Sequence, residues 1–373
     1  MRRARRRAVA VIAGLGVVFT LLGGLGGAYM ALRSAPDAPY PPQVALSLPA
    51  PEENPQAAAP TVRAPAKPTV APDAREEILA RLYEEPVEPA PAPKAERRAG
   101  PRRATMDEVQ LALMRLPAVS PPVRPQWQRN AVAVSVPPGR PMIAVVLDDL
   151  GLNREGAWRA IALPPPVTLS FMTYAEGLER FARNGRAAGH ELLLHVPMEP
   201  RSKSYNPGPN VLLTDLPPEE LLRRLEWALG RFHGFVGINN HMGSKFTASA
   251  QGVAYVMRKL KARGLLFLDS MTSRDSVGWL AAQRAGVPYA RRDVFLDNDW
   301  RDPASIRRQL ARLEAIARRQ GYAVGIGHPH RATLDVLARW LPRARRRGFA
   351  LVPLSAIVRH QIEIANKVTG AAG

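Results

Sequence analysis

Five short apolar runs, each ending in groups that do not belong in an apolar core, constrain this chain more than any other feature. Met142-Ile143-Ala144-Val145-Val146-Leu147 runs into Asp148-Asp149, Leu192-Leu193-Leu194 into His195-Val196-Pro197-Met198-Glu199, and Phe235-Val236-Gly237-Ile238 into Asn239-Asn240-His241. Leu265-Leu266-Phe267-Leu268 runs into Asp269-Ser270, and Ala323-Val324-Gly325-Ile326-Gly327 into His328-Pro329-His330. Runs this short and continuously apolar read as buried parallel strands. Between them, helical periodicity marks Glu176–Ala188, Pro218–Leu229, Ser249–Arg263, Pro303–Gln320 and Arg331–Arg346. Strands alternating with helices imply an α/β fold with a parallel sheet, and right-handed crossovers put every strand's carboxyl end on one face. That face carries the active site in β/α barrels, so the Asp, His, Asn and Ser groups should meet in one cleft. At the first strand end, one Asp would suffice to cap the next helix; two in a row point to a divalent cation.

The rest of the chain divides by composition. Arg2, Arg3, Arg5, Arg6 and Arg7 precede Ala8–Leu32, a stretch without a charged residue. Its length suits a bilayer span, whereas a cleaved signal peptide has a shorter apolar core and a small-residue cleavage site. The expectation for residues 1–33 is an uncleaved inner-membrane anchor, single-pass, with the arginines in the cytoplasm and the remainder in the periplasm. Residues 34–139 hold 22 of the 37 prolines and lack sustained apolar periodicity, as expected of a disordered tether. Asp73–Tyr83 and Met106–Leu116 read as short helical pieces that either dock on a partner or, as preferred here, form only transiently within it. The folded domain is expected over 140–373.

That domain carries 34 basic against 20 acidic residues, much of the excess on two helices, in Arg307, Arg308, Arg312, Arg318 and Arg319 and in Arg343, Arg345, Arg346 and Arg347. Outside the cytoplasm such a charge meets envelope glycans and headgroups rather than nucleic acid, and a solvated helix face accounts for most of it. The chain has no cysteine, so a thiolate-held zinc is excluded and any metal must sit on His and carboxylate. Nothing in the sequence names a protein partner.

The stretch Gly185-Arg186-Ala187-Ala188-Gly189-His190-Glu191-Leu192-Leu193-Leu194-His195 resembles the second motif of polysaccharide deacetylases, where a Gly-His-Glu strand leads into His-x-x-x-His downstream of a strand ending in Asp-Asp-Gly. Four stretches, Leu147-Asp148-Asp149-Leu150-Gly151, His195-Val196-Pro197-Met198-Glu199-Pro200, Asn239-Asn240-His241-Met242-Gly243-Ser244 and Gly325-Ile326-Gly327-His328-Pro329, place the resemblance in the divergent branch of that family. It implies a distorted (β/α) barrel of about seven parallel strands. It also implies a divalent metal, zinc first, and an acetylated envelope polysaccharide as substrate.

By position, the resemblance makes Asp149 and His195 metal ligands and Asp148 the general base. The family's second motif histidine is replaced here by Glu199, so the third ligand is either Glu199 or His241; His241 is the choice, with Glu199 placed beside the metal or the substrate. His328 resembles the late-motif general acid. Asn240 and Asp269 are expected around the ligands, Asp269 orienting a ligand histidine or capping the next helix. Arg292, Asp297 and Asp299-Trp300 read as a loop with an ion pair and a packed aromatic, or as the wall of a sugar groove. His190, His233 and His360 read as structural or surface residues. The expected function is metal-dependent hydrolysis of acetyl groups from a glycan; the rival is a non-catalytic envelope glycan-binding or scaffold protein that keeps the fold.

Overall fold

The computed structural model of the chain describes residues 102–370. The Ala8–Leu32 segment and Asp73–Tyr83 lie outside those residues, and among the described residues no helix is long and apolar enough to cross a membrane. Two helices come first, α1 (Met106–Met114) and α2 (Gln126–Asn130). The alternating core follows as β1 (Met142–Leu150), α3 (Arg154–Ile161), β2 (Thr168–Met172), α4 (Leu178–Ala187), β3 (Glu191–Met198), α5 (Pro218–Leu229), β4 (Gly237–Met242), α6 (Ala250–Arg263), β5 (Leu266–Asp269) and α7 (Gly278–Ala285). It continues as β6 (Tyr289–Arg291), β7 (Val294–Phe295), α8 (Pro303–Gln320), β8 (Tyr322–Gly327), α9 (Arg331–Arg346), β9 (Ala350–Leu351) and α10 (Leu354–Gly370). Helix boundaries follow local chemistry. Ser249 accepts a hydrogen bond at the start of α6 and left-handed Gly264 ends it, while Asp302 caps α8 ahead of Pro303 and left-handed Gly321 ends that helix.

The strands form one sheet with every pairing parallel, in the order β6-β5-β4-β3-β2-β1-β8-β7, and β9 pairs with the start of β1. Among the described residues nine strands thus stand where about seven were expected. The excess comes from β7 and β9, two residues each, too short to leave a period in the sequence. The sheet is strongly curled. β6 and β7 lie at opposite ends of the strand order, yet only Arg292 and Asp293 separate them. The Arg292 N–H donates to the Asp269 carbonyl at the end of β5 (3.0 Å) and the Asp293 N–H to the Val324 carbonyl in β8 (2.8 Å), so consecutive amides hold the two ends of the sheet together.

Alternation along the strands sorts their side chains into two cores. Ile143, Val145 and Leu147, with Leu169, Phe171, Leu192, Leu194 and Phe267, join the helices in a large outer core. Ala144, Val146, Leu193, Leu266, Leu268, Val324 and Ile326 fill the concave side, closed at its base by Trp127 and by Leu354, Ile357 and Val358 around the start of α10. Polar groups that continue the concave-side parity past the strand ends therefore lie above a dry floor.

The tether expectation does not hold for the stretch from Arg102 onward. Thr105 and Glu108 form a reciprocal capping box on α1, the Ala104 N–H bonds to the Ala248 carbonyl (3.1 Å), and Val109 is fully buried. Trp127 is buried in the concave-side core and its N–H reaches the Gly264 carbonyl (2.9 Å), while Asn130 Nδ2 donates to the Phe235 carbonyl (2.7 Å). One anchoring residue per short helix leaves no periodic signal, and the surrounding prolines mask it.

Candidate metal centre

Asp149, His195 and His241 come together above that floor, all fully buried, with one ligand atom from each within 4.8 Å of the others. Asp149 Oδ1 lies 3.1 Å from His195 Nε2 and 2.9 Å from His241 Nδ1, and the two imidazoles meet edge to face at 5.1 Å between centroids. Burial would raise the Asp149 carboxyl, but the adjacent His241 and His195 more than offset it and hold that group well below the usual carboxylate range.

Parity explains most of this arrangement. Asp148 continues Ala144 and Val146 on the concave side, His195 continues Leu193, and His328 continues Val324 and Ile326. Asp149, one residue beyond Asp148, would face the helices in a regular strand. A bulge in the β1–β2 pairing between Leu147 and Leu150, together with a φ of +56° at Asp149, brings its carboxyl back to the concave side. Left-handed backbone at a non-glycine residue costs roughly 1–3 kcal/mol. Met242 and Met271, just after His241 and Ser270, take the same left-handed conformation, with φ of +52° each.

Asn239 is the hub behind the ligands, and the sequence reading passed over it. Its Nδ2 donates to both oxygens of Asp148 (2.9 Å each) and to Ser270 Oγ (3.1 Å). Its Oδ1 accepts from Ser170 Oγ (2.6 Å) and lies 2.9 Å from His195 Nδ1. On the far wall, His328 Nε2 lies 3.9 Å from Asp149 Oδ2, and His328 Nδ1 is 3.0 Å from Asp297 Oδ1. Asp297 also accepts from the His328 backbone N–H (2.7 Å) and Thr333 Oγ1 (2.8 Å), so this carboxylate holds both the backbone and the Nδ1 edge of His328. Burial raises Asp297, and the neighbouring His328 more than reverses the effect. Asp297 is therefore a site residue rather than part of a loop ion pair; β7, which delivers it, is too short to be read from sequence. Arg292 instead donates to the carbonyls of Ser270 (2.6 Å) and Met271 (2.7 Å), while Trp300 stacks on His330 at 4.5 Å and 6°.

Three expected site residues lie elsewhere. Glu199 spends one oxygen on the Thr214 N–H and Oγ1 (2.7 Å each) and the other on Lys245 Nζ (2.5 Å); it ties two loops together and is not among the grouped ligands. Asn240 points to backbone, donating to the Met242 carbonyl (2.8 Å) and accepting from the Ser270 N–H (2.9 Å). Asp269 accepts from Met271 N–H, Ser276 Oγ and Trp279 N–H at 2.9, 2.7 and 2.9 Å, capping the α7 region. A Cβ on Gly278 would sit 2.9 Å from Asp269 Oδ2, so that fit is tight. Asn240 and Asp269 carry the wrong parity; their neighbours Asn239 and Ser270 carry the right one.

The donor set suits a divalent cation. Both oxygens of Asp149 and both ring nitrogens of His241 are buried and make no hydrogen bond, the 2.9 Å approach between them falling outside hydrogen-bond geometry. Such orphaned groups cost about 1–3 kcal/mol each. A four-coordinate zinc with ligands at about 2.0–2.2 Å holds its donors a little over 3 Å apart, close to the 3.1 and 2.9 Å from Asp149 Oδ1 to the two imidazoles.

The sequence profile of the divergent polysaccharide deacetylases matches residues 145–358. An uncharacterized protein of Escherichia coli, YibQ, is 37% identical over 206 residues, which is 55% of this chain and 64% of that protein. An uncharacterized protein of Haemophilus influenzae is 32% identical over 197 residues, 52% of this chain and 69% of its own length. The crystal structure of an uncharacterized protein of Agrobacterium tumefaciens superposes with a TM-score of 0.61 at 34% identity, covering 65% of this chain and 100% of that one.

Proposed function

Because this chain belongs to the divergent polysaccharide deacetylase family, we propose that it is a metal-dependent hydrolase that removes acetyl groups from an envelope glycan, with Asp149, His195 and His241 holding the metal. The observation that carries this reading is the buried pair Asp149 and His241, whose donor atoms make no hydrogen bond. Zinc is the metal proposed, since carboxylate and imidazole with no thiolate suit a hydrolytic zinc that keeps a position open.

When bound, the metal supplies Lewis acidity to the acyl carbonyl and acidifies water. Asp148, held by the Asn239 amide, takes the proton of the attacking water. His328, its Nδ1 against Asp297, turns Nε2 toward the cleft and delivers a proton to the leaving nitrogen or oxygen of the sugar. Water is consumed and acetate and the deacetylated glycan leave. The buried inner core beneath keeps bulk water from the far side of the ligands.

The Arg-flanked apolar span Ala8–Leu32 supports a further part of the proposal, an inner-membrane anchor with the domain in the periplasm. The direct test is metal analysis of the purified full chain followed by acetate release from cell-wall polymers. Stoichiometric zinc, and release abolished by chelation, is the expected result. Bound metal with no release from any envelope polymer would leave a glycan-binding protein of the same fold.

A further inference from the structure

Asn239 sits between the proposed base and a proposed ligand, and its two ends are chemically different. A carboxylate only accepts hydrogen bonds. Both Asp148 oxygens lie 2.9 Å from the same Asn239 atom, so that atom must be the amide nitrogen. The flipped amide would set its oxygen against two carboxylate oxygens with no proton between them. The amide oxygen is then committed to the other side, where it receives the Ser170 hydroxyl (2.6 Å) and faces His195 Nδ1 at 2.9 Å. An oxygen there requires a proton on Nδ1. With Nδ1 so occupied, Nε2, the nitrogen 3.1 Å from Asp149 Oδ1, is the one turned toward the proposed metal position.

We infer that Asn239 is a positioning residue that transmits the placement of Asp148 to the tautomer of His195, so that the proposed base and a ligand nitrogen are set by one amide. The inference rests on the metal-centre reading, and it deepens it. The two functions of the amide separate chemically: its oxygen prepares His195 to ligate, and its nitrogen holds Asp148. Ser170 and Ser270 pin the amide plane from both ends, with Ser270 Oγ accepting from Nδ2 at 3.1 Å. Removing a group that orients a ligand histidine lowers metal affinity by about 10–100-fold.

Nitrogen-15 NMR of the metal-free full chain, labelled at its seven histidines, reads the tautomer without metal or substrate. The wild-type His195 signal, assigned by its loss in His195→Gln, should show Nδ1–H. In Asn239→Leu, similar in size but without the acceptor, the proton should shift toward Nε2 and zinc affinity should fall about 10–100-fold. An Nε2–H tautomer in the wild type overturns the inference whatever the variants do, as does an unchanged tautomer with unchanged zinc affinity in Asn239→Leu. Because the spectrum needs no reaction, a failed acetate-release assay leaves it standing, and a wrong tautomer leaves the deacetylase reading standing.

Discussion

The carboxylates of Asp148 and Asp149, neighbours in the chain, both face one nitrogen, His195 Nε2, at 3.8 and 3.1 Å. Two consecutive residues of a regular strand point to opposite faces. The bulge and the left-handed turn at Asp149 overcome that, and they allow a proposed base and a proposed ligand to come from one strand end. Replacement of one carboxylate should therefore not mimic replacement of the other. Asp148→Asn is expected to keep zinc, as calorimetry would report, and to slow acetate release by about 10²–10⁴-fold. Unchanged release would remove Asp148 from the chemistry.

His241 and Glu199 compete for the third ligand, and their surroundings differ. His241→Ala should lower zinc affinity by more than about tenfold. Glu199→Ala should leave zinc bound while orphaning Lys245 and Thr214, costing about 1–2 kcal/mol in a denaturant titration. The reverse pattern, with zinc lost only on replacing Glu199, would make position in the motif the better guide.

His330 gives the metal-free protein a pH dependence with a defined sign. Burial pushes its imidazole down from 6.5 to about 4, against the opposing pull of Asp297. The unfolded chain takes up this proton first as pH falls, so the stabilising contribution is complete above about 6.5 and is lost as pH falls toward 4. Its upper limit is about 3 kcal/mol. Denaturant unfolding at both ends of that window should show a smaller difference in His330→Gln than in the wild type; equal differences would assign the loss to other groups.

The segment from Arg102 to Asn130 belongs to the folded unit rather than to a tether. A chain starting at Pro138 forfeits buried Trp127 and Val109, and loss of a buried tryptophan costs about 3–5 kcal/mol. Its melting temperature should lie about 10 °C below that of a chain starting at Arg102. Coincident melting would return these helices to the tether.

Orientation of the proposed anchor is tested with a reporter active only in the cytoplasm, fused after Gly373. It should stay silent, and a strong signal would reverse the topology.

Strand ends were legible in the sequence because each apolar run stops at a polar group, and α5, α8 and α9 were legible to the residue. Parity was harder to read. Runs buried on both faces are apolar at every position, so Leu266-Phe267-Leu268 does not announce whether Asp269 or Ser270 faces inward. The same ambiguity holds between Asn239 and Asn240. Asp149 offends parity outright; the doubled aspartate at the strand end marked it, and the resemblance to a known motif made it a ligand. Asp297 follows a two-residue strand whose pairing depends on the sheet curling back on itself, which no local window contains.

That return of the sheet has a consequence for association. An open parallel sheet ends in two strands whose unpaired amides and carbonyls invite a strand from another molecule. Here the amides of Arg292 and Asp293 are spent on opposite neighbours, Asp269 and Val324. The junction is therefore a poor template for intermolecular strand addition. The protection depends on length, because one extra residue between Arg292 and Asp293 would leave one end of the sheet without its partner. Insertions at this point should appear first as aggregation, before any loss of the residues around Asp149.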